Sequence, residues 1–202
     1  MTTQAIKIGP ADHGRRMSLA AFEHAEVQEG HLYELGRGVI IVSDVPHPRH
    51  LMQLNVIRRQ LHGYDFQNPG NIHSIASGSD CKILIADLES ERHPDVAIYK
   101  NPPPEEEEDF WASWIPEIVI EVVSPGSEER DYVEKRDEYL RFGVREYWIV
   151  DAERQEVLIL RRAGGRWREK IVRPPETYRT RLLPGFEFAC ELVFEAASSA
   201  GE

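Results

Sequence analysis

Along the 202-residue chain the apolar positions change period several times. Between Pro48 and about Tyr64, Leu51, Leu54, Ile57 and Leu61 recur at steps of three and four, the stripe of an amphipathic helix. An earlier stretch, MSLAAFEHAEVQEG, offers Ser18 as a helix N-cap and Gly30 as its stop. LYELGRGVIIVS reads as two short strands around Gly36 and Gly38, and NIHSIASGSDCKILIADLE as a strand pair broken at Gly78. PDVAIYK is a short apolar strand opened by Pro94, and NPPPEEEEDF an exposed acidic loop. PEIVIEVVSPG is denser. Ile118, Val119, Ile120, Val122 and Val123 are apolar on both sides of the pleat, the pattern of a central strand covered on both faces. SEERDYVEKRDEYLRFGV is a helix stopped by Gly143, and EYWIVD a further strand. EVLILRR, RWREKIV and GFEFAC then read as antiparallel strands joined by short turns. This order predicts one α/β domain over 16–195, with a mixed sheet, one crossover helix and late antiparallel strands, between loose tails at 1–15 and 196–202.

Composition adds limits. At 41% apolar residues the chain is globular in character, and no run of 18 apolar residues suggests a membrane span. The N-terminus lacks a signal-type apolar stretch, and Cys81 and Cys190 have no metal-like spacing, so a reducing cytoplasm with free thiols is expected. The net charge of −11 gives no global attraction for nucleic acid. The basic residues are uneven, however. From Arg154 to Arg181 the segment carries nine bases, among them Arg161, Arg162, Arg166, Arg168 and Lys170, against three acids. This is either a solvated hairpin face or a local landing surface for phosphates.

The chemistry concentrates on carboxylates. Glu121 stands in the middle of the dense apolar strand, and an unpaired buried carboxylate costs several kcal/mol. It must be protonated, paired with a cation, or hold a metal. Asp95 opens the neighbouring apolar strand, where an acid after proline is by itself only a turn residue. Strands about 5 Å apart would let the two carboxylates share a hard divalent cation such as Mg²⁺ or Mn²⁺. Asp131, Lys135 and Tyr139 follow at i, i+4 and i+8 on one helical face. They are either a surface ion pair with a neighbour, or a stripe that brings Lys135 to Glu121 to orient a metal-bound water. His47 and His50 flank a proline at a helix start and read as capping residues, and Trp111 and Trp114 as the edge of a core. Lys82 is a second lysine that could face the cleft.

These residues resemble the Uma-two family of restriction endonucleases, within the PD-(D/E)XK nuclease superfamily. The resemblance rests on Pro94-Asp95, the run Glu121-Val122-Val123-Ser124-Pro125, the triplet Asp131, Lys135 and Tyr139, and Gly143-Val144-Arg145-Glu146-Tyr147-Trp148. Upstream, YELGRGVI and the helix led by His50 are similar to the family's start, and the likeness extends over roughly residues 18–190. It implies a restriction-endonuclease-like fold, a mixed central sheet flanked by helices with additional antiparallel strands. It implies Mg²⁺- or Mn²⁺-dependent hydrolysis of nucleic acid, DNA before RNA, with a homodimer as the superfamily-like assembly. Asp95 and Glu121 would hold the metal with the backbone carbonyl of Val122, Glu34 would add an acid, and Asp131, Tyr139 and His50 would support the site, with Lys82 in reserve for the missing lysine. The superfamily lysine two positions after the glutamate is Val123 here, which makes Lys135 the substitute. The competing expectations are a non-catalytic nucleic-acid-binding or interaction module on a nuclease scaffold, and a structural ion-pair cluster with no ligand.

Overall fold

A computed structural model describes residues 6–105 and 110–199. In chain order its elements are β1 (Lys7–Ile8), α1 (Leu19–Glu23), β2 (Glu26–Val27), β3 (His31–Gly36), β4 (Val39–Asp44), α2 (Pro48–Gln67), β5 (Ser74–Ala76), β6 (Ile83–Ile85), β7 (Ser90–Arg92), β8 (Val96–Tyr99) and β9 (Ile118–Val122). A π-helical turn (Arg130–Glu134) then runs into α3 (Lys135–Phe142), followed by β10 (Glu146–Asp151), β11 (Glu156–Ala163), β12 (Arg166–Val172), β13 (Thr177–Tyr178), β14 (Phe188–Ala189) and α4 (Cys190–Ser199). Among the described residues no helix is long and apolar enough to cross a membrane, and both cysteines are buried and free.

The central sheet has six strands in the order β12-β11-β10-β9-β8-β5. Only β9 and β10 run parallel, and the π turn with α3 is the crossover between them. That crossover lets β9 and β10 sit side by side in the middle of the sheet, where all residues of both strands are buried. One face carries Ile118, Ile120, Trp148 and Ile159 against Leu54, Ile57 and Leu61 of α2 and Val193 and Phe194 of α4. The other face carries Val119, Tyr147, Ile149 and Leu158 against Tyr139 of α3. Glu121 belongs to this second face, because it pairs in register with Ile149. A four-stranded antiparallel sheet, β4-β3-β7-β6, adds Ile83 and Ile85 to the same cluster and brings β3 and β7 towards the start of α3.

The mixed sheet, its crossover helix and the β11–β12 hairpin match the sequence expectation. Several local expectations do not. The helix begun by Ser18, whose side chain accepts from the Ala21 amide, ends at Glu23 because Glu26–Val27 leave to pair with Lys7–Ile8. The stretch before Arg16 contributes Ile8 to a core with Leu19 and Phe22. The halves of NIHSIASGSDCKILIADLE do not pair with each other; Ser74–Ala76 joins the large sheet and Ile83–Ile85 the small one. On α2, Leu51 is exposed and Tyr64 is buried instead. GFEFAC supplies only the two-residue strand β14, and its Cys190 starts a helix that lies on α2. Residues 106–109 of the acidic loop lie outside the described residues.

Candidate functional site

The C-terminal half of β9, the start of β8 and the first turns after β9 converge on one cluster of charge. Antiparallel pairing of Val96 with Ile120 places Asp95 beside Glu121 and Val122. Asp95 Oδ2 accepts from the Val122 amide at 2.8 Å, and the Asp95 amide lies 3.5 Å from Glu121 Oε2. Asp95 Oδ1 faces His50 Nε2 at 3.2 Å, while His50 Nδ1 lies 3.0 Å from Ser124 Oγ. His50 therefore braces the carboxylate from the α2 side; His47 caps the helix, its ring nitrogen accepting from the Arg49 amide.

Lys135 arrives from α3. Its Nζ is 2.9 Å from Glu121 Oε1, 3.3 Å from Asp131 Oδ1 and 3.9 Å from Glu34 Oε1. Tyr139 donates to the same Glu121 Oε1 at 2.6 Å, so Oε1 is held from two sides while Oε2 faces Asp95. Asp131 is oriented by Ser127, whose hydroxyl donates to Oδ2 at 2.5 Å. Glu34, on β3, accepts from the His93 amide at 3.0 Å and from Arg92 at 3.4 Å.

The two buried glutamates are shifted in opposite directions. Burial raises the Glu121 carboxyl, Lys135 opposes it, and Asp95, Asp131 and Glu34 add repulsion; the result is about 7. Burial also acts on Glu34, but Lys135, Arg92 and Arg130 outweigh it and hold that carboxyl at about 2. Lys135 is closer to Glu121 than to Glu34, so distance to the shared cation does not decide the difference. The other neighbours do, three acids in one case and two arginines in the other. The Lys135 ammonium resists its own burial because Glu121, Glu34 and Asp131 surround it, and its pKa is raised. At neutral pH it is a cation.

The structure thus brings together Asp95, Glu121, Val122, Lys135, Glu34, Asp131, Tyr139 and His50. Lys82 is directed elsewhere, holding Glu23 at 2.8 Å and Glu91 at 3.7 Å, because it belongs to the turn before β6 and meets α1 and β7. The basic residues are not at this site either. Arg161 pairs in register with Glu146 and Arg168, three residues along the sheet from the Glu121–Ile149–Leu158 row. Lys170 is paired with Glu176 at 2.6 Å, and Arg166 sits exposed at the start of β12.

Sequence reasoning missed Arg92. Fully buried, it binds Glu138 through Nε at 2.7 Å and Nη2 at 3.0 Å, Glu134 at 3.1 Å and Glu34 through Nη1. The available signal was Glu134 and Glu138, two like charges at i and i+4, which repel unless a cation lies between them.

Among the described residues, no three His, Cys, Asp or Glu side chains are already gathered as a metal-ligand set.

The family model described as "Putative restriction endonuclease" matches residues 19–192. The fold is similar to the crystal structure of "a putative nuclease belonging to DUF820" from Anabaena variabilis ATCC 29413, with a TM-score of 0.72 and 16% identity, covering 90% of this chain and 99% of that one. No curated protein matches the chain.

Proposed function

The chain belongs to the Uma2 family, and on that premise we propose that it is a nuclease that hydrolyses phosphodiester bonds with a divalent metal held by Asp95, Glu121 and the Val122 carbonyl. Mg²⁺ is commonly bound by one or two carboxylates, with waters and substrate phosphates filling the rest, so two adjacent carboxylates without a complete protein cage suit it. The raised Glu121 carboxyl also fits a site short of positive charge, although Lys135 already touches it.

The observation that carries the reading is Lys135 Nζ at 2.9 Å from Glu121, since Val123 leaves the superfamily's lysine position empty of charge. A bound divalent ion would polarise the scissile phosphate and acidify a water. Lys135, a cation at neutral pH, serves as a donor that orients the attacking water and is unsuited to act as a base. Tyr139 fixes Glu121 Oε1, leaving Oε2 for the ion. His50 fixes Asp95, and Glu34 holds Lys135 in place from the opposite side. DNA as substrate, a homodimeric assembly and a cytoplasmic location complete the proposal.

The test is cleavage of plasmid and short single-stranded substrates with Mg²⁺, Mn²⁺ or chelator. Slow metal-dependent cleavage is expected, lost in Glu121→Gln. Cleavage that survives in the variant, or none with either metal, rejects the nuclease. One observation favours a non-catalytic binding module: the Lys135 ammonium already compensates Glu121 and Asp131. Salt-sensitive nucleic-acid binding without any cleavage is the outcome that selects that second reading.

A further inference from the structure

On the opposite face of the central sheet lies a pocket of about 240 Å³ lined by Arg145, Arg161, Arg162, Arg168 and Arg181 around Glu146. Glu146, Arg161 and Arg168 stand in one row across β10, β11 and β12, so their side chains share a face. That row is three residues from the Glu121 row, about 10 Å along the strands, and an odd offset puts it on the other face. No single small group touches both sites.

Three separate segments bring these arginines together: the start of β10, the β11–β12 hairpin and the chain after β13. Arg161 and Arg168 are directly opposite each other on neighbouring strands, an arrangement that like charges disfavour. Most other bases nearby, Arg166 excepted, have acids. Lys170 pairs with Glu176, Arg173 with Glu156, Arg179 with Glu187 and Arg136 with Glu169. Among the described residues, no carboxylate lies within 4.0 Å of a guanidinium nitrogen of the five pocket arginines. Glu146, which interacts with Arg161, can offset at most one of their charges. It is buried, and Trp148, Thr180 and Tyr178 already donate to its carboxylate at 2.9, 2.9 and 3.2 Å. Arg162 has its Nη1 on the Leu140 carbonyl at 2.6 Å, on the α3 side; in a chain of net charge −11, the other four guanidinium groups around one acid still make a local site of the opposite sign.

We infer that this pocket binds the terminal phosphate or pyrophosphate group of a nucleotide or of a nucleic-acid strand end. Guanidinium groups match phosphate oxygens with paired N–H donors, and several can share one dianionic group. The volume is that of about eight waters at roughly 30 Å³ each, room for such a group but not for a duplex. The inference does not rest on the nuclease reading, since it concerns a different face and a binding event.

The test is titration calorimetry with chelator present, using pyrophosphate, a nucleoside diphosphate, and a short oligonucleotide with a 5′-phosphate or a 5′-hydroxyl. One-to-one binding at about 1 mM or tighter is expected for pyrophosphate. Preference for the nucleoside diphosphate identifies a free nucleotide, and preference for the phosphorylated over the hydroxyl oligonucleotide identifies a strand end. Arg161→Gln and Arg168→Gln, both at exposed positions, should each weaken binding roughly tenfold or more, the scale of a charged hydrogen-bond pair. Arg166→Gln, on the same hairpin outside the pocket, and Glu121→Gln should leave it unchanged. Absence of pyrophosphate binding, equal binding of the two oligonucleotides with none of the nucleotide, or equal losses in Arg166→Gln and Arg161→Gln would overturn the inference. Failed cleavage with intact pocket binding counts against the nuclease alone.

Discussion

Replacing Glu121 by Gln keeps the shape of the side chain and removes its titration, which makes the stability of the metal-free protein a direct report on the cluster. The Glu121 carboxyl moves from its ordinary 4.5 to about 7 on folding, through burial and the repulsion of Asp95, Asp131 and Glu34. The folded state then binds a proton that the unfolded state releases, and stability falls as pH rises between these two values. At about 1.4 kcal/mol per pH unit the loss is on the order of 3 kcal/mol, complete near pH 7.5. Glu34 has the opposite sign. Held at about 2 against an ordinary 4.5, it contributes stability above pH 4.5 that is lost as pH falls towards 2. Urea unfolding at pH 4.5, 6 and 7.5, read as wild type minus Glu121→Gln, isolates the first effect from every group the two proteins share. The wild type should lose about 3 kcal/mol more than the variant over that range. Millimolar Mg²⁺ should remove most of the difference by neutralising the carboxylate pair in the wild type alone. Identical pH slopes in the two proteins would refute the argument, since Glu121 would then be fully compensated by Lys135 and Tyr139.

Lys135→Met should destabilise by about 3–5 kcal/mol at pH 8, because it leaves Glu121 and Asp131 buried without their cation, and by less at pH 5, where Glu121 takes up a proton. In the cleavage assay, loss of this lysine should lower the rate by ~10²–10⁴-fold. Arg92→Met should also lose about 3–5 kcal/mol by urea unfolding, since Glu138 is fully buried and keeps only the half-exposed Arg37, with Nε at 3.5 Å. A loss under 1 kcal/mol would show that this hub is dispensable. Gly36→Ala should cost about 1–3 kcal/mol, because its new Cβ would stand 2.6 Å from Arg92 Nη2 and 2.9 Å from Ile41 Cδ1, and three carboxylates prevent that guanidinium from moving aside. A variant as stable as the wild type in the same assay would mean that Arg92 is free to shift.

Much of this was legible in the sequence. The uniform apolar run of β9 marked it as central, and one acid in such a run demands compensation that chemistry restricts to a few forms. The four-residue spacing of Asp131, Lys135 and Tyr139 then indicated where the compensating cation would come from. What periodicity did not carry was pairing between distant segments. Ser74–Ala76 and Ile83–Ile85 are neighbours in sequence, yet Gly78 and the turn that follows it send them to different sheets. Arg92 follows Ser90 and Glu91 in a polar triplet that looks like a loop, and its burial depends on carboxylates arriving from β3 and α3. The basic segment gave a correct count of charge without a direction. Arg168 and Lys170 share one face of β12, and only the arrival of Glu176 beside Lys170 divides it from Arg161 and Arg168, which meet in a pocket.

The π turn at Arg130–Glu134 gives the site slack in chain length. A π turn spends one residue more per hydrogen bond than an α-helix, so this segment behaves as a helix that has absorbed an insertion. Its Val133 is exposed at 56%, and deleting that residue would let the turn close as ordinary α-helix without removing a buried side chain. Three α-helical steps of about 100° would then replace four π steps around nearly the same angle, so everything before the deletion would keep its phase relative to Lys135 and Tyr139. Asp131 would stand three residues before Lys135 instead of four, still on the same helical face. A deletion within α3 itself, between Lys135 and Tyr139, has no such slack and would turn one of them about 100° away from Glu121. The π turn is therefore a place between Glu121 and Tyr139 where the chain can lose a residue and keep the cluster.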